Sequence, residues 1–330
     1  MKHHQSKSLQ NSNALHFPIG RLLDMIKGIF AASVPDQVHI ENFNSGLSNG
    51  QKLHITDAPI GESAFKGEGY ENGSSDYRHF INVNDNYLQF AWMLAYVALA
   101  EYDLLTGLQN NNNVDNAKSI IRELRIVEQM FTVAKKMLAR NSDEDFMAAS
   151  RGEIFRLPNS LNKRNEYVDK VDTIVAYSGA YLLLHEYAHF HFNHEGHAPA
   201  YETEADKFAV EHLIGYCMKL DKDKEQNTRT AALGILLTML AAAYVNPQLV
   251  SATYPDIDKR AVVLAEQIQT MCPAAINAPL GKIFVSSIYR WCSFAGVNCL
   301  KAFSTTNDHW EQLQILQNCL TDYKRQFRIM

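Results

Sequence analysis

The stretch that decides the reading is Val171-Asp172-Thr173-Ile174-Val175-Ala176-Tyr177-Ser178-Gly179-Ala180-Tyr181-Leu182-Leu183-Leu184-His185-Glu186-Tyr187-Ala188-His189-Phe190-His191-Phe192. Val171, Ile174, Val175, Ser178, Tyr181, Leu182, His185, His189 and Phe192 recur at steps of three and four, the period of an α-helix. The other faces are apolar too, through Ala180, Leu183, Leu184 and Tyr187. A helix that is apolar all round is a buried one, so this segment is expected at the centre of its domain. Two imidazoles, His185 and His189, stand on its stripe. They lie about 40° apart in azimuth and about 6 Å apart along the axis, close enough to converge on one ion. Glu186 is turned by about 100° from His185. His185-Glu186-Tyr187-Ala188-His189 therefore reads as H-E-x-x-H, two metal ligands with a general base between them.

A catalytic zinc takes three protein ligands and keeps a fourth position for water. The third ligand should come from a separate element, and Tyr201-Glu202-Thr203-Glu204-Ala205-Asp206-Lys207-Phe208-Ala209 offers two glutamates. Glu202 shares a helical face with Ala205, Asp206, Ala209 and Leu213. Glu204 shares one with Lys207, Phe208 and Glu211, which is mostly charged. The apolar face points inward, so Glu202 is the expected ligand and Glu204 the more exposed residue. Asp206, four residues after Glu202, is placed to accept the outer ring N–H of His185, which would fix its tautomer. One Zn2+ per chain is the expected cofactor, since two histidines and a glutamate suit that ion. H-E-x-x-H also arises by chance, and the second helix with its inward carboxylates is what argues for a site. A closed structural zinc would prefer four ligands rich in cysteine. His191, His194 and His197 read as loop residues.

The rest of the chain sets the frame. The 330 residues carry a formal net charge of -5, with 46% hydrophobic and 20% charged residues, an ordinary globular balance. There is no basic excess to bind nucleic acid. Cys217, Cys272, Cys292, Cys299 and Cys319 form no C-x-x-C pair and read as reduced thiols, with Cys292 and Cys299 packing on one helical face. The first residues are polar and show no secretory signal. Leu88 to Ala100 and Ala231 to Tyr244 are apolar but short of a membrane span and read as buried core helices. A cytoplasmic chain without stable membrane insertion is the expectation. Trp92, Trp291 and Trp310 are expected in the core. The Asp143 to Asp145 and Asp221 to Glu225 runs are expected to be solvated loops.

Residues 1–16 read as a flexible tail. Residues 17–84 read as a small α/β region. It has a helical pattern from Phe17 to Phe30 and extended candidates at Gln37 to Ile40, Lys52 to Ile55 and Tyr77 to Val83. Residues 85–330 read as a helical core, continuous with that region. Helices are expected at about 86–107, 114–140, 166–192, 200–220, 228–246, 255–271, 276–303 and 307–325. The fold class is mainly α (α+β), with a small N-terminal mixed sheet whose edge would pair with an extended substrate.

His185-Glu186-x-x-His189 followed by Glu202-x-x-Ala205-Asp206 resembles the gluzincin arrangement of metallopeptidases, which implies a zincin-like helical core. Asn82 to Trp92 and the element Tyr254-Pro255-Asp256-Ile257-Asp258-Lys259-Arg260, similar to an H-P-x-x-x-x-R element of such families, narrow the likeness to the Lit-type phage-exclusion peptidases. That resemblance implies an intracellular endopeptidase cleaving a host protein, the translation elongation factor Tu, during phage infection. Tyr254 stands where the element usually has histidine. The short interval from His189 to Glu202 is nearer to small repressor-cleaving peptidases of mobile elements. In such chemistry Glu186 takes a proton from the attacking water and passes it to the leaving amine. Tyr201, His212, Tyr254 and Arg260 are the candidate oxyanion donors. The competing readings are a regulatory module whose metal site no longer cleaves, and a zinc hydrolase of non-peptide substrates.

Overall fold

A computed structural model describes residues 19–34, 55–56, 65–72, 76–109, 114–138, 164–194, 198–250, 256–298 and 308–328. Its helices are α1 (Ile19–Ser33), α2 (Asp85–Gln109), α3 (Val114–Leu138), α4 (Arg164–His191), α5 (Pro199–Lys219), α6 (Lys224–Val245), α7 (Ile257–Met271), α8 (Ala278–Ala295) and α9 (His309–Arg328). The described part of the chain is mostly helical. Short strands β1 (Ile55–Thr56), β2 (Phe65–Asn72) and β3 (Asp76–Asn84) precede α2. Their backbones pair in the order β1-β3-β2. β1 runs parallel to β3, and β2 antiparallel to it with Phe65 opposite Val83. Of the extended candidates, Gln37 to Ile40 and all of Lys52 to Ile55 but Ile55 lie outside the described residues.

The helix containing the H-E-x-x-H segment is the hub. α4 packs against α1, α2, α5 and α6, and β2 and β3 also touch it. Val171, Ala176, Ala180, Tyr181, Leu184 and Ala188 are fully enclosed, which explains why no polar face was visible in the segment. The backbone of α6 comes close to that of α4. A Cβ on Gly234 would sit 2.7 Å from the Ile174 carbonyl oxygen and 3.0 Å from the Ser178 backbone nitrogen. Only hydrogen fits there. Beside it, the Ser178 and Thr238 hydroxyls share a hydrogen bond of 2.6 Å and satisfy each other inside the apolar contact.

α6 is long and apolar enough to cross a membrane, but 78% of its apolar window is covered by the rest of the protein. It is a core helix, as the sequence suggested for Ala231 to Tyr244. Trp92 and Trp291 are buried, with indole N–H groups donated to Asp172 at 2.7 Å and the Ala243 carbonyl at 2.9 Å. Trp310 is half-buried.

Three boundaries differ from the sequence expectation. α8 stops at Ala295, because Gly296 adopts φ 72 and its N–H closes on the Cys292 carbonyl. Cys299, read from sequence as sharing a helical face with Cys292, lies outside the described residues. The charged run at 221–225 is not wholly a loop: Asp223, with φ 53, starts α6 and Lys224 is its first residue. Phe192 falls just past the end of α4, 38% exposed, and not on its buried stripe. Among the described residues, Cys217, Cys272, Cys292 and Cys319 form no disulfide.

Candidate metal centre

The buried end of α4 presents His185 and His189 one turn apart, and the first turn of α5 presents Glu202 against them. Pro199 occupies the first position of α5, where its missing N–H is harmless. Glu202 in that first turn also sits favourably at the positive end of the helix. His185 is 6% exposed and Glu202 4%.

The donor atoms converge. His185 Nε2 and His189 Nε2 are 3.3 Å apart. Glu202 Oε2 is 3.3 Å from His185 Nε2, and Glu202 Oε1 is 3.5 Å from His189 Nε2. An ion held tetrahedrally at about 2.0–2.1 Å would keep its ligand atoms about 3.3–3.4 Å apart. The distances from His185 Nε2 to His189 Nε2 and to Glu202 Oε2 match that spacing, and one ligand atom from each of the three side chains lies within 4.8 Å of the others, a group able to hold a metal.

A layer of polar groups holds the His185–Glu202 side in place. Asp206 Oδ1 lies 2.9 Å from His185 Nδ1, in contact but not aligned as a hydrogen bond. Tyr181 donates its hydroxyl to the same oxygen at 2.6 Å. Arg260, from α7, grips both carboxylate oxygens of Asp206, at 2.7 Å and 2.8 Å. Its third nitrogen is 3.7 Å from Glu202 Oε2. Such bidentate pairing is strong and directional.

The electrostatics follow. Burial disfavours the charged form of Asp206, but Arg260 and His185 outweigh it and hold its pKa well below the usual carboxylate range. Burial likewise opposes ionised Glu202, and His185 and Arg260 outweigh it, so its pKa is lowered. Burial pushes His185 down, yet Asp206 and Glu202 carry it up to about 9. His189 goes the other way, to about 4, through burial and then the neighbouring His185 charge.

The family model for peptidase U49 matches residues 81–277, more than half of the chain. The chain belongs to the peptidase U49 family. No curated protein and no solved structure matches this U49 chain. The matched region runs from β3 through α7 and so spans His185, His189, Glu202, Asp206 and Arg260.

In the U49 chain the other residues singled out from sequence have these places. Glu186 is half-buried on α4, directly after His185. Tyr201 stacks on His194, with ring centroids 4.3 Å apart. His212 donates Nδ1–H to the Phe208 carbonyl at 2.8 Å and stacks on the Phe208 ring. Arg260 is engaged with Asp206 and Glu202 as described. Tyr254 and His197 lie outside the described residues.

Sequence reasoning missed two participants. Tyr181 was placed on the stripe of α4 but given no polar task; its position four residues before His185 was the available signal. His194 was read as a loop residue. Its side chain is 4% exposed, and its Nδ1 lies 2.9 Å from His189 Nδ1. Glu204, 52% exposed, closes on His194 Nε2 at 2.9 Å.

Proposed function

We propose that the chain is a zinc-dependent endopeptidase, with His185, His189 and Glu202 as metal ligands and Glu186 as general base. The observation that carries this reading is the convergence of the donor atoms: His185 Nε2 stands 3.3 Å from both His189 Nε2 and Glu202 Oε2, and His189 Nε2 stands 3.5 Å from the other Glu202 oxygen, spacings near those around a tetrahedral ion. Membership in a peptidase family supplies the reaction class. A zincin-like arrangement of the core is part of the same proposal.

Bound zinc would act as a Lewis acid on the scissile carbonyl and make an attacking water easier to deprotonate. The residues of the chain do the rest. Glu186 takes the proton of that water and returns it to the leaving amine, which avoids expelling an amide anion. Asp206 orients His185, and Arg260 and Tyr181 orient Asp206, so the ligand set stands ready before substrate arrives. Because Arg260 is committed to Asp206, Tyr201 and His212 are the more available oxyanion donors among the described residues. The backbone edge of β2, beside α4, is our assignment for the extended substrate.

The substrate we propose is an intracellular protein, with the host translation elongation factor Tu and phage exclusion as the leading case from the Lit-type resemblance. A cytoplasmic setting without nucleic-acid partners belongs to the same reading. The test is cleavage of that factor, and of a cell lysate, by the purified chain with and without a chelator. Chelator-sensitive cleavage that disappears in Glu186→Gln, while bound zinc stays near one per chain, supports the proposal. Stoichiometric zinc with no cleavage of any protein would favour a regulatory metal module. Cleavage retained in Glu186→Gln would remove the general-base assignment.

A further inference from the structure

We propose that His194 and Glu204 form a positioning relay behind His189, fixing the tautomer and direction of that imidazole in the metal centre. The inference rests on the metal-centre reading above and assigns two residues that neither the H-E-x-x-H motif nor the E-x-x-x-D motif contains.

The relay begins with how α4 ends. Asn193 takes φ 52, in the left-handed region that asparagine tolerates better than most residues. Its N–H bonds to the Phe190 carbonyl at 3.2 Å, and the His194 N–H reaches back to the His189 carbonyl at 3.0 Å. This pair of bonds is a Schellman ending, in which the residue after the left-handed one folds back on the residue three places before the cap. Here those two residues are His194 and His189. The helix stop itself therefore delivers one imidazole to the other, and apolar side chains usually fill that contact.

Ring placement then fixes the protons. His189 Nε2 faces Glu202 and His185. Its Nδ1 is left to carry the hydrogen and donate it to His194 Nδ1 at 2.9 Å. His194 must then hold its own proton on Nε2, and Glu204 Oε2 accepts it at 2.9 Å. The three groups satisfy one another in a single arrangement with no nitrogen left over. Tyr201 stacks on His194 with rings inclined by only 11°, which holds the imidazole in plane for both bonds.

The two ligand histidines are thus supported differently. The outer nitrogen of His185 meets a buried carboxylate directly. That of His189 meets a carboxylate through an intervening imidazole, and the carboxylate stands at the surface. Outer partners of this kind typically contribute about 10–100-fold in metal affinity.

The test measures zinc affinity by competition with a chromophoric chelator, together with the visible spectrum of the cobalt-loaded protein. His194→Phe keeps the ring stacked on Tyr201 but has no nitrogen, and should weaken zinc binding by about 10–100-fold and shift the cobalt bands. His194→Asn retains an acceptor near the Nδ1 position and should lose clearly less. Glu204→Gln should weaken binding by a few-fold, in line with losing a charge one step further away. The metal-free variants should melt within a few degrees of the parent chain. Parent-like zinc affinity in His194→Phe overturns the proposal, and so does an equal loss in His194→Phe and His194→Asn, which would reduce His194 to packing. A parent chain that takes up neither zinc nor cobalt sinks the metal-centre reading itself, a failure distinct from either of these.

Discussion

Replacing Gly234 with alanine places a methyl group into the α4–α6 contact, and the structure sets the size of the effect. Alanine is the better helix former by about 1 kcal/mol, so on an open helix the change stabilises. At Gly234 the new Cβ meets the Ile174 carbonyl oxygen at 2.7 Å, where an ordinary contact begins at 3.4 Å. The obstacle is backbone, so the two helices must separate by about 0.7 Å instead of one side chain turning away. Overpacking of this kind costs about 1–3 kcal/mol, and a backbone clash belongs at the upper end. The net expectation is a loss of about 2 kcal/mol. Gly215 is the control, since it lies within α5 and a Cβ there would meet nothing within 4 Å. Gly215→Ala should gain up to about 1 kcal/mol from propensity alone. Thermal unfolding of both variants under one condition should show shifts of opposite sign, with Tm values separated by about 5–10 °C. Equal shifts, or a Gly234→Ala protein as stable as the parent, would refute the close-contact account of how α4 is held.

Other consequences follow. Glu202→Ala should abolish stoichiometric zinc, read by elemental analysis after dialysis, because two histidines alone leave the coordination incomplete. The metal-free protein should lose stability as pH rises from 6.5 to about 9. His185 has a folded-state pKa of about 9, above its ordinary value, so its contribution is complete below 6.5 and fades as the proton leaves. Zinc must displace that same proton, so its affinity rises with pH over this range, and the Tm gap between zinc-loaded and metal-free protein should widen. A constant gap would contradict the assignment. Lys324, 3% exposed, holds Asp256 at 3.0 Å and Asp258 at 2.7 Å, which ties α9 to the start of α7. Lys324→Met removes the buried cation shared by the two carboxylates, Asp256 keeping Lys259 at 3.6 Å, and should cost about 3 kcal/mol in chemical denaturation, with much of it restored when Asp256→Asn and Asp258→Asn are added. Asn193→Gly should leave zinc affinity intact, because glycine accepts the left-handed conformation, whereas Asn193→Val should weaken it.

Much of the site could be read from the sequence, because its key spacings are local. The four-residue steps from His185 to His189 and from Glu202 to Asp206 are about one helical turn each, and helical geometry converts that spacing into a shared face whatever the rest of the fold does. The helix pattern from Asp85 to Arg328 was legible for the same reason, with errors confined to ends such as Ala295, where one glycine conformation decides. The choice of Glu202 over Glu204 came from the apolar face of α5. That argument predicts burial but says nothing of what a more exposed neighbour touches, so Glu204 was passed over.

What the sequence by itself determined was the helical character of the chain, the burial of the helix bearing H-E-x-x-H and the pairing of its two imidazoles. Only the tertiary structure brought Arg260 from α7 onto Asp206, because a contact between residues far apart in the chain depends on how helices cross, and no periodicity encodes that. His194 meets His189 through the local ending of α4, but only the structure showed it, because the contact hangs on the left-handed backbone of Asn193. The candidate ligands and Asp206 follow from short-range pattern, and the grip of Arg260 on Asp206 follows from packing.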